Sequence, residues 1–141
     1  MNKVNPMKYL FFMSIMMTFT TQAADRRIFE TDSSGNRKYD KPSYTITDNG
    51  RIYETDSSGN HKYSGQHFRI DGNRILPTDS SGNRLYNLPS RTISSQGQIY
   101  ETDSSGNRRY DGQHYKLDGN KIIPTDSSGN RQYDKPQFQI R

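Results

Sequence analysis

The chain has 141 residues, a formal net charge of +5, no cysteine and no tryptophan. Only 28% of its residues are hydrophobic, and the mean hydropathy is −1.13. The missing cysteines exclude disulfide staples and a lipid-bearing cysteine. The charges are spread evenly along the chain, which excludes the concentrated basic patch of a nucleic-acid binder.

At the N-terminus, Lys3 and Lys8 flank the start of an apolar run over 9–19 (YLFFMSIMMTF). Thr21-Gln22-Ala23 follows with small residues three before and one before a cut after Ala23. This is the pattern of a signal peptide over 1–23, ahead of an exported chain over 24–141 that is periplasmic or extracellular. The run is shorter than the ~20 residues that span a bilayer, so no membrane span is expected once the leader is removed. Without the leader the balance is 18 basic to 15 acidic residues.

From Thr31 onward the hexapeptide TDSSGN occurs five times without substitution, beginning at Thr31, Thr55, Thr78, Thr102 and Thr125. A fixed period of 23 to 24 residues marks a repeat architecture. The repeats run approximately over 28–51, 52–74, 75–98, 99–121 and 122–141. Within each, Asp-Ser-Ser-Gly reads as a type I turn whose glycine takes the left-handed conformation of a bulged hairpin. Asp71-Gly72, Asp118-Gly119 and Asn49-Gly50 mark a second turn. Between the turns, Tyr44-Thr45-Ile46, Phe68-Arg69-Ile70, Tyr115-Lys116-Leu117 and Phe138-Gln139-Ile140 alternate apolar and polar, the period of a half-buried strand. Arg91-Thr92-Ile93 breaks that pattern at its first position.

The repeats come in two kinds. Proline follows the tyrosine in the first, third and fifth (Pro42, Pro89, Pro136), and glycine in the second and fourth (Gly65, Gly112). Both residues interrupt a strand, so a corner is expected there. The predicted fold is all-β: five tandem hairpin repeats of two or three strands each in an antiparallel meander, open or closed. Ile28-Phe29-Glu30 lacks an upstream partner and Phe138-Gln139-Ile140 a downstream one, so pairing them closes the meander and removes both edges.

Chemistry is harder to place. The Asp, Ser and Asn alternation of DSSGN suggests a calcium loop, but the glycine is at position four and no bidentate glutamate follows, so no metal is expected. Serines recur in every turn without a histidine at a matching offset. His67 and His114 occupy equivalent positions and read as exposed strand residues. Glu30, Glu54 and Glu101 give way to Pro77 and Pro124 in the other repeats, which no catalytic pair would tolerate. The chain is therefore read as non-enzymatic and without a cofactor.

The recurrence that points to binding is aromatic plus basic. Tyr39, Tyr63, Tyr86, Tyr110 and Tyr133 occur in all five copies, and Arg37, Arg84, Arg108 and Arg131 lie two residues before, with His61 in the remaining copy. Tyrosine offers a flat apolar face with a hydroxyl, and arginine a planar donor fork. Five such sets acting together suit a glycan or an anionic envelope polymer. The same tyrosines are equally the natural core of the sheet, and the two roles are not exclusive.

Asp103-Ser104-Ser105-Gly106-Asn107 with Tyr110-Asp111, and the counterparts in the other repeats, resemble the tyrosine-aspartate (YD) repeats of the Rhs type. They are also similar to the tyrosine-rich hairpin repeats of Gram-positive cell-wall-binding modules. The resemblance covers nearly the whole chain after the leader and implies β-hairpins in series. Rhs chains build large shells that five repeats cannot enclose, and choline-binding modules rely on the tryptophan absent here. The repeat arithmetic resembles that of the curli major subunit, whose fixed residues are instead Gln and Asn. Function is thus read as binding of a cell-envelope or extracellular polymer, with a structural or self-assembling surface protein as the alternative.

Overall fold

The structure is a computed structural model and describes residues 25–141. The expected signal peptide lies outside the described residues. Ten strands follow in chain order: β1 (Arg26–Thr31), β2 (Ser43–Ile46), β3 (Arg51–Thr55), β4 (His67–Asp71), β5 (Arg74–Thr78), β6 (Ser90–Ile93), β7 (Gln98–Thr102), β8 (His114–Asp118), β9 (Lys121–Thr125) and β10 (Gln137–Ile140). Each repeat therefore supplies two strands. Every strand pairs antiparallel with its neighbours in sequence, and β1 also pairs with β10, which closes a barrel.

The seam is formed by the two strands that lacked partners in the sequence. Ile28 lies opposite Ile140 and Glu30 opposite Phe138. The ladder extends one step further, because the Arg27 and Arg141 backbones exchange N–H···O bonds of 2.6 and 2.8 Å. Closure leaves no free strand edge among the described residues.

Two kinds of connection alternate around the barrel. At one end are short turns. The Asp71–Arg74 and Asp118–Lys121 pairs close two-residue loops whose centres are Gly72-Asn73 and Gly119-Asn120. The turns thus sit one residue later than the Asp-Gly dipeptides suggest, because the aspartates remain in the ladder. At the other end are the five long connections that begin with DSSGN. In each, the Gly N–H donates to the Asp carbonyl at 3.0 to 3.1 Å and the Gly φ lies between 89° and 94°. This is the expected bulged turn.

The barrel interior explains how so few apolar residues suffice. Strand register places the inward side chains in stacked rings of five, one residue per repeat. Nearest the short turns are Ile46, Ile70, Ile93, Leu117 and Ile140. Next come Ile28, Ile52, Ile75, Ile99 and Ile122. These two rings form the hydrophobic core. Above them lie Tyr44, Phe68, Arg91, Tyr115 and Phe138, and then Glu30, Glu54, Pro77, Glu101 and Pro124. Ile46, Ile52, Ile93, Ile99 and Leu117 are buried and each contributes about 1.5–3 kcal/mol, while the other five are partly buried and contribute less. The recurrent tyrosines take no part in this core, which corrects the reading of them as the sheet's own interior.

Candidate functional site

The residues on either side of each DSSGN turn decide where the recurrent side chains point. The turn is rigid because its aspartate is fully used. In the fourth repeat, Asp103 Oδ1 accepts the backbone N–H groups of Ser105 (2.9 Å) and Asn107 (2.8 Å), and Oδ2 accepts the Asn107 side-chain amide at 3.1 Å. The same three bonds occur at Asp32, Asp56, Asp79 and Asp126. Donation from the Asn backbone, and then from its side chain, holds each of these carboxyls below its ordinary range.

Beyond the turn the chain pairs once with its own strand, as in the Thr31–Arg37 bridge and its four equivalents. The period of two then fixes the faces. Arg37 and Tyr39 point outward, and Lys38 points inward to Glu30, 2.9 Å away. Equivalent inward pairs are Lys62–Glu54 at 2.8 Å and Arg109–Glu101 at 3.2 Å. Where proline replaces the glutamate, at Pro77 and Pro124, the facing residue is Leu85 or Gln132, so neither charge is left without the other. The signal was present in the sequence as a basic residue eight positions after each of these glutamates. Glu54 also accepts the Gln66 backbone N–H at 3.1 Å, and Glu101 that of Gln113 at 3.4 Å. Bonding to Lys62, the largest cause, holds the Glu54 carboxyl below its usual range. Pro42, Pro89 and Pro136 stand where these two glutamines stand and have no N–H to give.

On the outer face the predicted Tyr and Arg residues come together as pairs. The guanidinium carbon of Arg37 lies 4.7 Å from the Tyr39 ring centre, Arg84 4.5 Å from Tyr86, Arg108 4.8 Å from Tyr110 and Arg131 4.6 Å from Tyr133. In the second repeat the His61 ring stacks on Tyr63 at 4.1 Å. The outward residue of the odd strand forms the other wall. Arg37 also lies over Phe29 at 5.2 Å, Arg108 over Tyr100 at 4.9 Å, and His61 against Tyr53 at 4.1 Å. These strand aromatics escaped the sequence reading, because only the fold brings them beside a cation eight residues away. The five outer tyrosines are 68 to 76% exposed, more than any other large hydrophobic side chain among the described residues.

Two of these Tyr–Arg pairs are tied to the next repeat. Arg84 donates to the Ser104 carbonyl oxygen at 3.4 Å and Arg108 to that of Ser127 at 3.0 Å, so each holds the hairpin of the following repeat. A cleft of about 400 Å³ lies between the Tyr53–His61–Tyr63 stack and the third hairpin (Asp79, Ser80, Gly82). One of about 220 Å³ lies between Tyr100, Arg108 and the fifth hairpin. Another, of about 240 Å³, spans the seam from Arg131 and Tyr133 to Asp32 and Ser33.

His67 and His114 are not exposed as expected; they are 8% and 7% accessible, on the outer face beneath the connections. His67 Nδ1 lies 2.9 Å from the Gly65 carbonyl oxygen, and its Nε2 lies 2.8 Å from His61 Nε2. Burial, and then the neighbouring His67, lowers the His61 pKa. One of these two imidazole nitrogens donates to the other. Among the described residues no group of three or more His, Asp or Glu side chains is arranged to hold a metal ion. In comparisons with family models, curated proteins and solved structures, the chain matches none.

Proposed function

We propose that the protein is an exported, non-enzymatic binder that grips a repeating glycan of the cell envelope or extracellular space through its five tyrosine stations. The observation that carries this reading is the exposure of one tyrosine ring per repeat, each backed by a stacked Arg or His. A ring held this way costs little entropy on binding and presents an apolar face with a polar tip, which suits the alternating C–H and hydroxyl surface of a sugar. The arginines of repeats three and four also donate to a neighbouring hairpin, which favours a glycan stacked on the tyrosines over a polyanion clamped by free guanidinium forks. Asp40, Asp111 and Asp134 directly follow three of the tyrosines and add hydroxyl acceptors. Individual sites of this kind are weak, and a polymer that spans several gains by effective concentration. Retention of the chain on insoluble peptidoglycan and on a panel of immobilised glycans tests the reading. Retention by at least one glycan, lost when all five tyrosines become alanine, supports it; retention by none refutes it.

A further inference from the structure

The interior of the barrel holds a cavity separate from the outer tyrosines. A cavity of about 450 Å³ lies above the two aliphatic rings, on the side of the long connections. Ile28, Ile52, Ile75, Ile99 and Ile122 form its floor. Its walls are the third ring, Tyr44, Phe68, Arg91, Tyr115 and Phe138, with Gln66 and Gln113 at the rim. The four aromatic rings are only half-buried, so the cavity opens to solvent at this end. Its volume falls in the range that suits a small organic ligand.

Arg91 is the one departure from the repeat pattern in this ring. Four repeats place Tyr or Phe here, and the third places a guanidinium. The strand register sets Arg91 opposite Glu101, yet Glu101 pairs with Arg109 at 3.2 Å and accepts the Gln113 N–H. The two other carboxylates of the ring above are likewise paired, Glu30 with Lys38 and Glu54 with Lys62. Among the described residues the Arg91 side chain makes no ion pair and no hydrogen bond; its guanidinium carbon lies 6.0 Å from the Phe68 ring centre. In the same ring, the Tyr44 hydroxyl donates to Gln66 Oε1 at 3.3 Å and the Tyr115 hydroxyl to Gln113 Oε1 at 3.0 Å. Burial, the largest cause, raises the pKa of both tyrosines and keeps them neutral, and the Arg91 charge opposes that rise at each. The guanidinium therefore lines the same cavity as two neutral phenols. A planar donor fork without an acceptor, at the wall of an apolar cavity, is matched by a carboxylate with an apolar body.

We propose that the barrel mouth binds a small monocarboxylate with an aliphatic or aromatic body, the carboxylate on Arg91 and the body on the ring of aromatics and the isoleucine floor. The site is independent of the outer tyrosines, so it stands or falls apart from glycan binding. Octanoate and its neutral analogue octanamide serve as probes in titration calorimetry against the intact 24–141 chain. One octanoate per barrel is expected, bound at least about tenfold more tightly than octanamide, a difference of about 1.4 kcal/mol. Arg91→Phe restores the side chain type of the other repeats and so keeps the barrel folded. It is expected to lose that preference, while Arg91→Lys keeps part of it. Replacing the five outer tyrosines with alanine is expected to leave octanoate binding unchanged. Absence of octanoate binding, equal affinity for the amide, or an undiminished preference in Arg91→Phe overturns the proposal.

Discussion

Arg108 donates to the backbone carbonyl oxygen of Ser127 at 3.0 Å, tying the fourth repeat to the hairpin of the fifth. The same guanidinium lies between the rings of Tyr100 and Tyr110. One side chain thus orders an exposed tyrosine and anchors the neighbouring turn. A cation–π contact at an exposed site is worth about 0.5–1 kcal/mol, and Arg108 makes two. Arg108→Ala is expected to lower the melting temperature by about 3–8 °C and to speed hydrogen exchange at Ser127 to Gly129 more than in the first three hairpins. Amide exchange followed by NMR checks this, and uniform exchange across all five hairpins contradicts the tie.

The glycine of each hairpin is needed for its backbone rather than for space. Gly106 has φ +92°, and a Cβ built there meets nothing within 4 Å. Gly106→Ala therefore costs only left-handed strain, about 1–2 kcal/mol, read as a fall of about 3–8 °C in a thermal melt. Gly112 is the opposite case, because its φ is unremarkable and a Cβ would sit 2.8 Å from Glu101 Cβ. Gly112→Ala is expected to displace Glu101 and break its pair with Arg109. A double variant that adds Glu101→Ala should recover part of the loss.

Acid should loosen the hairpins. The five turn aspartates have folded pKa values below their ordinary 3.8, chiefly through donation from the Asn backbone and side chain. A carboxyl lowered on folding adds stability that is present above the unfolded pKa and lost as pH falls through the folded one. Melting temperature is thus expected to fall below about pH 4. Replacing the five asparagines with alanine should flatten that fall, and an unchanged slope would contradict the assignment.

The second repeat should also respond near neutrality. His61 has a folded pKa below the ordinary 6.5, mainly from burial and then from His67. A base lowered on folding is most stabilising above the unfolded pKa, and this contribution declines as pH falls toward the folded value. His61→Arg installs the residue of the other repeats, with the Arg108–His114 neighbourhood as precedent. That variant is expected to lose the pH dependence between about pH 5 and 7 in thermal melts. A wild-type curve flat across this range counts against the His61–His67 contact.

Much of this fold was legible because its rules are local. Period-two alternation marked the strands, the left-handed glycines fixed the hairpins, and the complementary ends of β1 and β10 made closure one of two outcomes, the one the structure shows. What depends on the long connections was not legible. His67 and His114 are buried by the connections that precede them, through His61 and the Gly65 carbonyl in one case and the Tyr110 carbonyl in the other. Tyr39 and its equivalents have the composition of a core residue, yet the bridge at Thr31–Arg37 turns them outward. The cation partners were legible as a spacing of two; the facing aromatics Phe29, Tyr53 and Tyr100 were not. Arg91 was visible only as an irregularity, and its place in a ring of aromatics gives that irregularity a meaning. The hexapeptide is now largely explained. Its Asp, Gly and Asn build the turn and its Thr is buried, while both serines stay exposed in every copy.

The central claim is that five tyrosine stations act together on one polymer. Affinity electrophoresis in gels containing the retaining glycan, run for the wild type and for variants with one, three and five of Tyr39, Tyr63, Tyr86, Tyr110 and Tyr133 replaced by alanine, tests it most directly. The exposed positions predict variants that fold normally, with retardation that weakens progressively and vanishes when all five are replaced. Equal retardation across the series, or its complete loss on replacing any single tyrosine, contradicts shared binding by the five stations.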